Sequence, residues 1–93
     1  MRVTRHLRIV GLVQGVGYRE AMVAQARLSG ILGWVRNRSD GSVEAILVGS
    51  EPDLQALIVW ARRGPPASRV EQLTITEMTS ADVAEHFERR PTV

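Results

Sequence analysis

The chain has 93 residues, with 12 basic side chains, all arginine, against 10 acidic ones, for a formal net charge of +2. The absence of lysine excludes a Schiff-base nucleophile and the lysine of a Walker-type phosphate loop, and the absence of cysteine excludes disulfides, thiolate catalysis and Cys-ligated zinc. Phosphate or carboxylate charge must therefore be met by arginine, by backbone N–H groups or by a metal.

The isoelectric point of about 10.4 overstates how basic the chain is. Arginine does not deprotonate in the accessible range, so a small cationic excess drives the value far upward. A net charge of +2 is weak support for a nucleic-acid partner. The length predicts one domain, residues 1–93, and a hydrophobic content of 44% suffices for one compact core with no room for a second. The N-terminus, Met1-Arg2-Val3-Thr4-Arg5-His6, runs into an alternating pattern instead of the apolar block of a leader, and no stretch approaches the ~20 apolar residues of a membrane span. These features predict a soluble cytoplasmic protein with no membrane partner.

From Arg5 to Val13, Leu7, Ile9, Gly11 and Val13 share one face while His6, Arg8, Val10 and Leu12 share the other, the period of a strand. Gln14-Gly15-Val16-Gly17 interrupts it. Tyr18, Met22, Ala26 and Ser29 then recur at helical spacing, and Gly30 marks the end of a helix of about eleven residues. Residues 31–38 and 42–49 read as two strands joined at Ser39-Asp40-Gly41, where Asp-Gly signals a hairpin. Ser50 caps a second helix, with Pro52 in its first turn and Asp53 at capping-box spacing. Leu54, Leu57, Ile58 and Ala61 give that helix an apolar face, and Gly64-Pro65-Pro66 stops it. A fourth strand spans residues 70–77 with Leu73 and Ile75 on one face, and residues 87–93 suggest a short closing edge strand. The order β-α-β-β-α-β is that of an α+β, ferredoxin-like sandwich: two helices on one face of an antiparallel sheet.

Chemistry concentrates where the first strand enters the first helix. In Gly11-Leu12-Val13-Gln14-Gly15-Val16-Gly17-Tyr18-Arg19 a glycine-rich turn opens a helix, aiming consecutive N–H groups and the helix dipole at one point. The spacing is neither that of a Walker loop nor that of a dinucleotide-binding fingerprint. Arg19, at the helix start, can fold over the same concavity and bind phosphate oxygens bidentately. On composition alone, a tight turn with an exposed arginine is an equal reading. The second segment is Gly33-Trp34-Val35-Arg36-Asn37-Arg38-Ser39-Asp40-Gly41. Asn37 is on the face of Val35 at a strand end, where an amide can orient a water through its donor and acceptor or simply form the turn.

These two segments resemble the acylphosphatase family. Val13 to Arg19 is similar to its signature V-Q-G-V-x-[FY]-R, and Gly33 to Val43 to its second signature, G-x-V-x-N-x-x-x-G-x-V. The run Arg62-Arg63-Gly64-Pro65-Pro66 and the terminal Phe87-Glu88-Arg89-Arg90-Pro91-Thr92 are also similar, so the resemblance covers nearly the whole chain. It implies hydrolysis of the carboxyl-phosphate bond of a small acyl phosphate by direct in-line attack of water, by a monomer without cofactor or metal. It also implies that Arg19 binds the phosphate, that Asn37 orients the water, and that the backbone of Gly15, Val16, Gly17, Tyr18 and Arg19 cradles the phosphoryl group. A carboxylate leaving group with a pKa near ~4 needs no strong general acid, which suits a chain that offers none.

Two rivals share these features. An RNA-binding module has the same element order but needs aromatic residues on its central strands, and the third strand, Ser42 to Val48, has none. No nucleic-acid partner is therefore expected. The other is a non-catalytic acylphosphatase-like regulatory or carbamoyl-phosphate-handling module of a larger assembly. Glu20 is expected to face solvent as a first-turn carboxylate. His6 and His86 read as surface residues, Trp34 and Trp60 as packing residues, and the pairs Arg62-Arg63 and Arg89-Arg90 as helix capping and solvation.

Overall fold

A computed structural model describes residues 2–93. Its elements are β1 (Arg2–Leu12), α1 (Tyr18–Leu28), β2 (Leu32–Asn37), β3 (Val43–Ser50), α2 (Glu51–Arg63), β4 (Arg69–Met78) and β5 (Glu88–Arg90). The strands form one sheet in the order β4-β1-β3-β2-β5. The four long strands pair antiparallel, as the β-α-β-β-α-β order predicts. β5 differs in that it runs parallel to β2, with Val35 opposite Arg89, and makes the five-stranded sheet mixed.

Alternation along the strands sorts the sheet into two faces. Leu7 and Ile9 of β1, Val35 of β2, and Val43, Ala45 and Leu47 of β3 are buried on the helix side. They meet Tyr18, Met22 and Ala26 of α1, Leu54, Leu57, Ile58 and Ala61 of α2, and Phe87 just before β5. Each large aliphatic or aromatic side chain in this layer contributes about 1.5–3 kcal/mol by leaving water, which is what holds both helices on one face. Arg27 donates from Nε to the Phe87 carbonyl at 2.9 Å and so ties α1 over β5.

The opposite face is not bare. Trp34, Ile46 and Val48 form a second, smaller apolar cluster covered by Leu32, Ala81 and Val83, so the expectation of a single core is corrected. The segment between β4 and β5 crosses beneath the sheet and supplies that cover. β4, an edge strand, leaves Ile75 exposed although its period is right, because only one side of it has a neighbour.

Two turns refine the sequence reading. Ser50 accepts from the Asp53 N–H at 3.3 Å, the forward arm of the expected cap. The β2–β3 connection is a three-residue loop: the Gly41 N–H reaches the Arg38 carbonyl at 3.1 Å, and the Arg38 N–H reaches that of Ser42 at 2.9 Å. Only Gly41 there has positive φ, at 93°, so the hairpin closes by a type I turn and a glycine bulge instead of a two-residue turn. Asp40 accepts from both the N–H and the hydroxyl of Ser42, stiffening the loop beside Asn37.

Candidate active site

Gly15 and Gly17 adopt φ of 75° and 80°, separated by Val16 at negative φ. That alternation turns successive N–H groups toward a common concavity, and positive φ is a conformation glycine adopts without steric cost. Gly17 is also the N-cap of α1; its carbonyl accepts the first helical bond, from Ala21, at 3.0 Å. The N–H groups of the first turn therefore have no intrahelical partner and add their partial positive charge. A Cβ placed on either glycine would meet no protein atom within 4 Å, so the surface above this backbone is open.

The concavity measures about 160 Å³ and is lined by Val13, Gly15, Gly17, Tyr18, Arg19, Glu20, Asn37 and Arg89. It is smaller than the ~300–1,000 Å³ of pockets that enclose drug-sized ligands, which suits a phosphoryl-sized group with the rest of a ligand outside. Of the expected site residues, Arg19, Asn37, Gly15, Gly17 and Tyr18 all line it. Val16 does not, because its side chain packs on the core. Tyr18 contributes at its backbone: its hydroxyl donates to the Ala61 carbonyl at 2.7 Å, and burial pushes that hydroxyl's pKa far up, so it stays protonated and ties α1 to α2.

Arg19 is half-buried, with one weak bond from its guanidinium to the Arg90 carbonyl at 3.3 Å and no ion-pair partner among the described residues. Its charge is thus not neutralised. Asn37 is held by its backbone: its carbonyl accepts from the Val93 N–H at 3.1 Å, and the Val93 carbonyl accepts from the Ser39 N–H at 2.7 Å, which extends the parallel ladder past β5. Its Oδ1 is buried without a hydrogen-bond partner among the described residues.

The sequence profile of a family described as acylphosphatase matches residues 5–89. The chain belongs to the acylphosphatase family. An acylphosphatase from Acidovorax sp. (strain JS42) is 57% identical over 91 residues, covering 98% of this chain and 93% of that protein. The crystal structure of acylphosphatase from Bacillus subtilis superposes with a TM-score of 0.90 at 33% identity, covering 95% of this chain and 98% of that one. Full-length HypF in its phosphate- and nucleotide-bound form contains a similar unit: TM-score 0.89 and 26% identity, over 99% of this chain but 12% of that protein.

Both acylphosphatase signatures contribute to the walls of the concavity, the second through Asn37, and Gln14 of the first ties the two segments together. Gln14 Nε2 donates to the carbonyls of Arg38 at 2.8 Å and Ser42 at 2.9 Å, binding the glycine turn to the hairpin that carries Asn37. No local pattern marks that role, because its partners lie in another segment. Glu20 does not simply face solvent: it lines the concavity and pairs with Arg89. Of the Arg89-Arg90 pair, Arg90 lies over the Trp34 ring at 5.0 Å, a ring that Arg36 also approaches at 4.5 Å, while Arg89 is exposed and pairs with Glu20. His6, expected at the surface, is partly buried with Nε2 at 2.7 Å from Glu44. Trp34 and Trp60 do pack, Trp60 against Tyr18 with ring centroids 5.6 Å apart.

Proposed function

We propose that this chain hydrolyses small acyl phosphates to a carboxylate and inorganic phosphate, by in-line attack of water at phosphorus, in the cytoplasm and as a monomer. The observation that carries the reading is the meeting of an unneutralised guanidinium, an open glycine nest and the Asn37 side chain at one small concavity. Arg19 and the N–H groups of Gly15 to Arg19 hold the three phosphoryl oxygens, where charge is spread in the transition state. The Asn37 amide hydrogen-bonds the attacking water and fixes its approach opposite the leaving oxygen. The water's oxygen bonds to phosphorus as the carboxylate leaves with the electron pair of the P–O bond; the released proton goes to solvent or phosphate. A carboxylate of pKa near ~4 departs without protonation, so no general acid is required. Among the described residues no group of His, Cys, Asp or Glu is arranged to hold a metal, and the mechanism invokes neither metal nor cofactor.

The test is phosphate release from a simple aryl acyl phosphate. Arg19→Ala and Asn37→Ala are each expected to lower kcat by at least a hundredfold with the unfolding midpoint little changed. Wild-type turnover in either variant removes that residue from the mechanism. The reading as a non-catalytic module is disfavoured by relatives that match nearly end to end. The RNA-binding reading lacks a stacking platform: Trp34 is buried, and Arg8, Arg36 and Arg38 on the open sheet face are paired with Asp40 or Glu44.

A further inference from the structure

We infer that Arg89 is a second anion-binding cation of the concavity and that Glu20 competes with the anion for it. The inference rests on the acylphosphatase reading of the site and adds to it a pair outside Arg19, Asn37 and the glycine turn. The alternation of β5 begins it. Arg90 lies on the open face of the sheet over Trp34, so Arg89 projects to the helix side, beneath the first turn of α1. There its guanidinium meets the carboxylate of Glu20, the residue after Arg19, and both side chains line the concavity.

Neither partner is locked in place. Their side chains are 54% and 63% exposed, and an ion pair this open is held by little net free energy. The charges around the concavity are then Arg19, Arg89 and Glu20, with Asn37 neutral. While the pair is made, Glu20 cancels Arg89, and a phosphoryl dianion meets one free guanidinium. When Arg89 turns to the anion, two guanidinium groups face it, and Glu20 is released to water at the positive end of α1, where a carboxylate is still favoured. A planar guanidinium offers phosphate oxygens the same paired donors that it offers a carboxylate, so the exchange needs only side-chain rotation. The pair thus sets how tightly the site holds phosphate, both as the reacting group and as the product that must leave.

Inorganic phosphate is the probe, titrated by calorimetry at constant ionic strength and also measured as a competitive inhibitor of hydrolysis. Arg89→Gln is expected to weaken phosphate on the order of threefold to tenfold, with Arg89→Lys between it and the wild type. Glu20→Gln is expected to tighten phosphate by a similar factor, and the double variant E20Q/R89Q to match R89Q. Unchanged phosphate affinity in R89Q overturns the inference. So does a Glu20→Gln effect that persists in the R89Q background, which would mean direct repulsion of phosphate by Glu20, and so does a wild-type chain that binds no phosphate. The binding arm needs no turnover: a chain that binds phosphate with this dependence yet releases none from an acyl phosphate sinks the hydrolase reading and leaves the competition standing. Both residues are exposed, so the thermal midpoints of these variants should stay within a few degrees of wild type.

Discussion

Gly17 joins two requirements at one residue: it caps α1 and, at φ 80°, turns the backbone N–H groups toward the site. An added Cβ meets nothing within 4 Å, so Gly17→Ala brings conformational strain without a clash. Strain of about 1–2 kcal/mol is relieved most cheaply by rotating the turn out of its alternation, which disperses the nest. The expected result is a stability loss near ~1 kcal/mol by denaturant titration but a rise in KM for an acyl phosphate of about tenfold or more. An unaltered KM would place the phosphoryl group elsewhere. Gln14 acts through position, since it touches two carbonyls of the hairpin and does not line the concavity. Both carbonyls keep another donor, the N–H of Gly41 on Arg38 and that of Arg38 on Ser42, so Gln14→Leu leaves no buried acceptor bare. Its cost should be about 1–2 kcal/mol of stability, with kcat falling more than KM rises because Asn37 loses its fixed distance from the nest.

The elements divide into those that position the site and those that only support it. β3 begins at Val43, opposite Asn37, and ends at Ser50, opposite Arg2; eight extended residues span roughly 25 Å. The α2 cap is therefore far from the chemistry. Ser50→Ala should lower stability by about 1 kcal/mol in a denaturant titration and leave kcat/KM unchanged; a coupled loss of activity would mean that α2 transmits strain to the nest. The same division explains what the sequence discloses. α1, α2 and the four long strands are legible because each is a local repeat, of period 3.6 or 2, bounded by glycine, proline or a capping serine. The glycine turn and Asn37 are legible for a similar reason, as compact motifs. Long-range pairings leave no local trace: β5 lies parallel to β2 by contacts across the fold, and the links Gln14 to Arg38, Val93 to Asn37 and Arg89 to Glu20 join segments far apart in the chain. The second apolar cluster is hidden for the same cause, because Ala81 and Val83 belong to a segment without period.

Across the whole molecule, the open face of the sheet is held by a charge cluster that joins three strands. Glu44 of β3 accepts from His6 of β1 at 2.7 Å, from Arg36 of β2 at 2.7 Å and from Arg38, just past β2, at 3.0 Å. Burial by itself would raise the Glu44 pKa, but the hydrogen bonds from His6, Arg36 and Arg38, with the charge of Arg36, outweigh it and pull the value from 4.5 down to about 2. A carboxylate depressed by folding stabilises the native state wherever it is ionised in both states. That contribution is complete above the ordinary value of 4.5 and is lost as pH falls through about 2. With its side chain 13% exposed, Glu44 is only partly screened, and its linkage is at most on the order of 3 kcal/mol. Asp40 works in the same direction, held well below the usual carboxylate range first by the Ser42 hydroxyl, then by the Ser42 N–H and Arg8. The free energy of unfolding should therefore decline between about pH 4.5 and 2. Glu44→Gln, which keeps the side-chain shape and removes the titration, should be less stable at neutral pH and show a shallower acid slope. Urea midpoints at several pH values decide it: equal slopes in the two proteins would mean that Glu44 titrates normally and that the cluster, though it bridges three strands, does not stabilise the sheet.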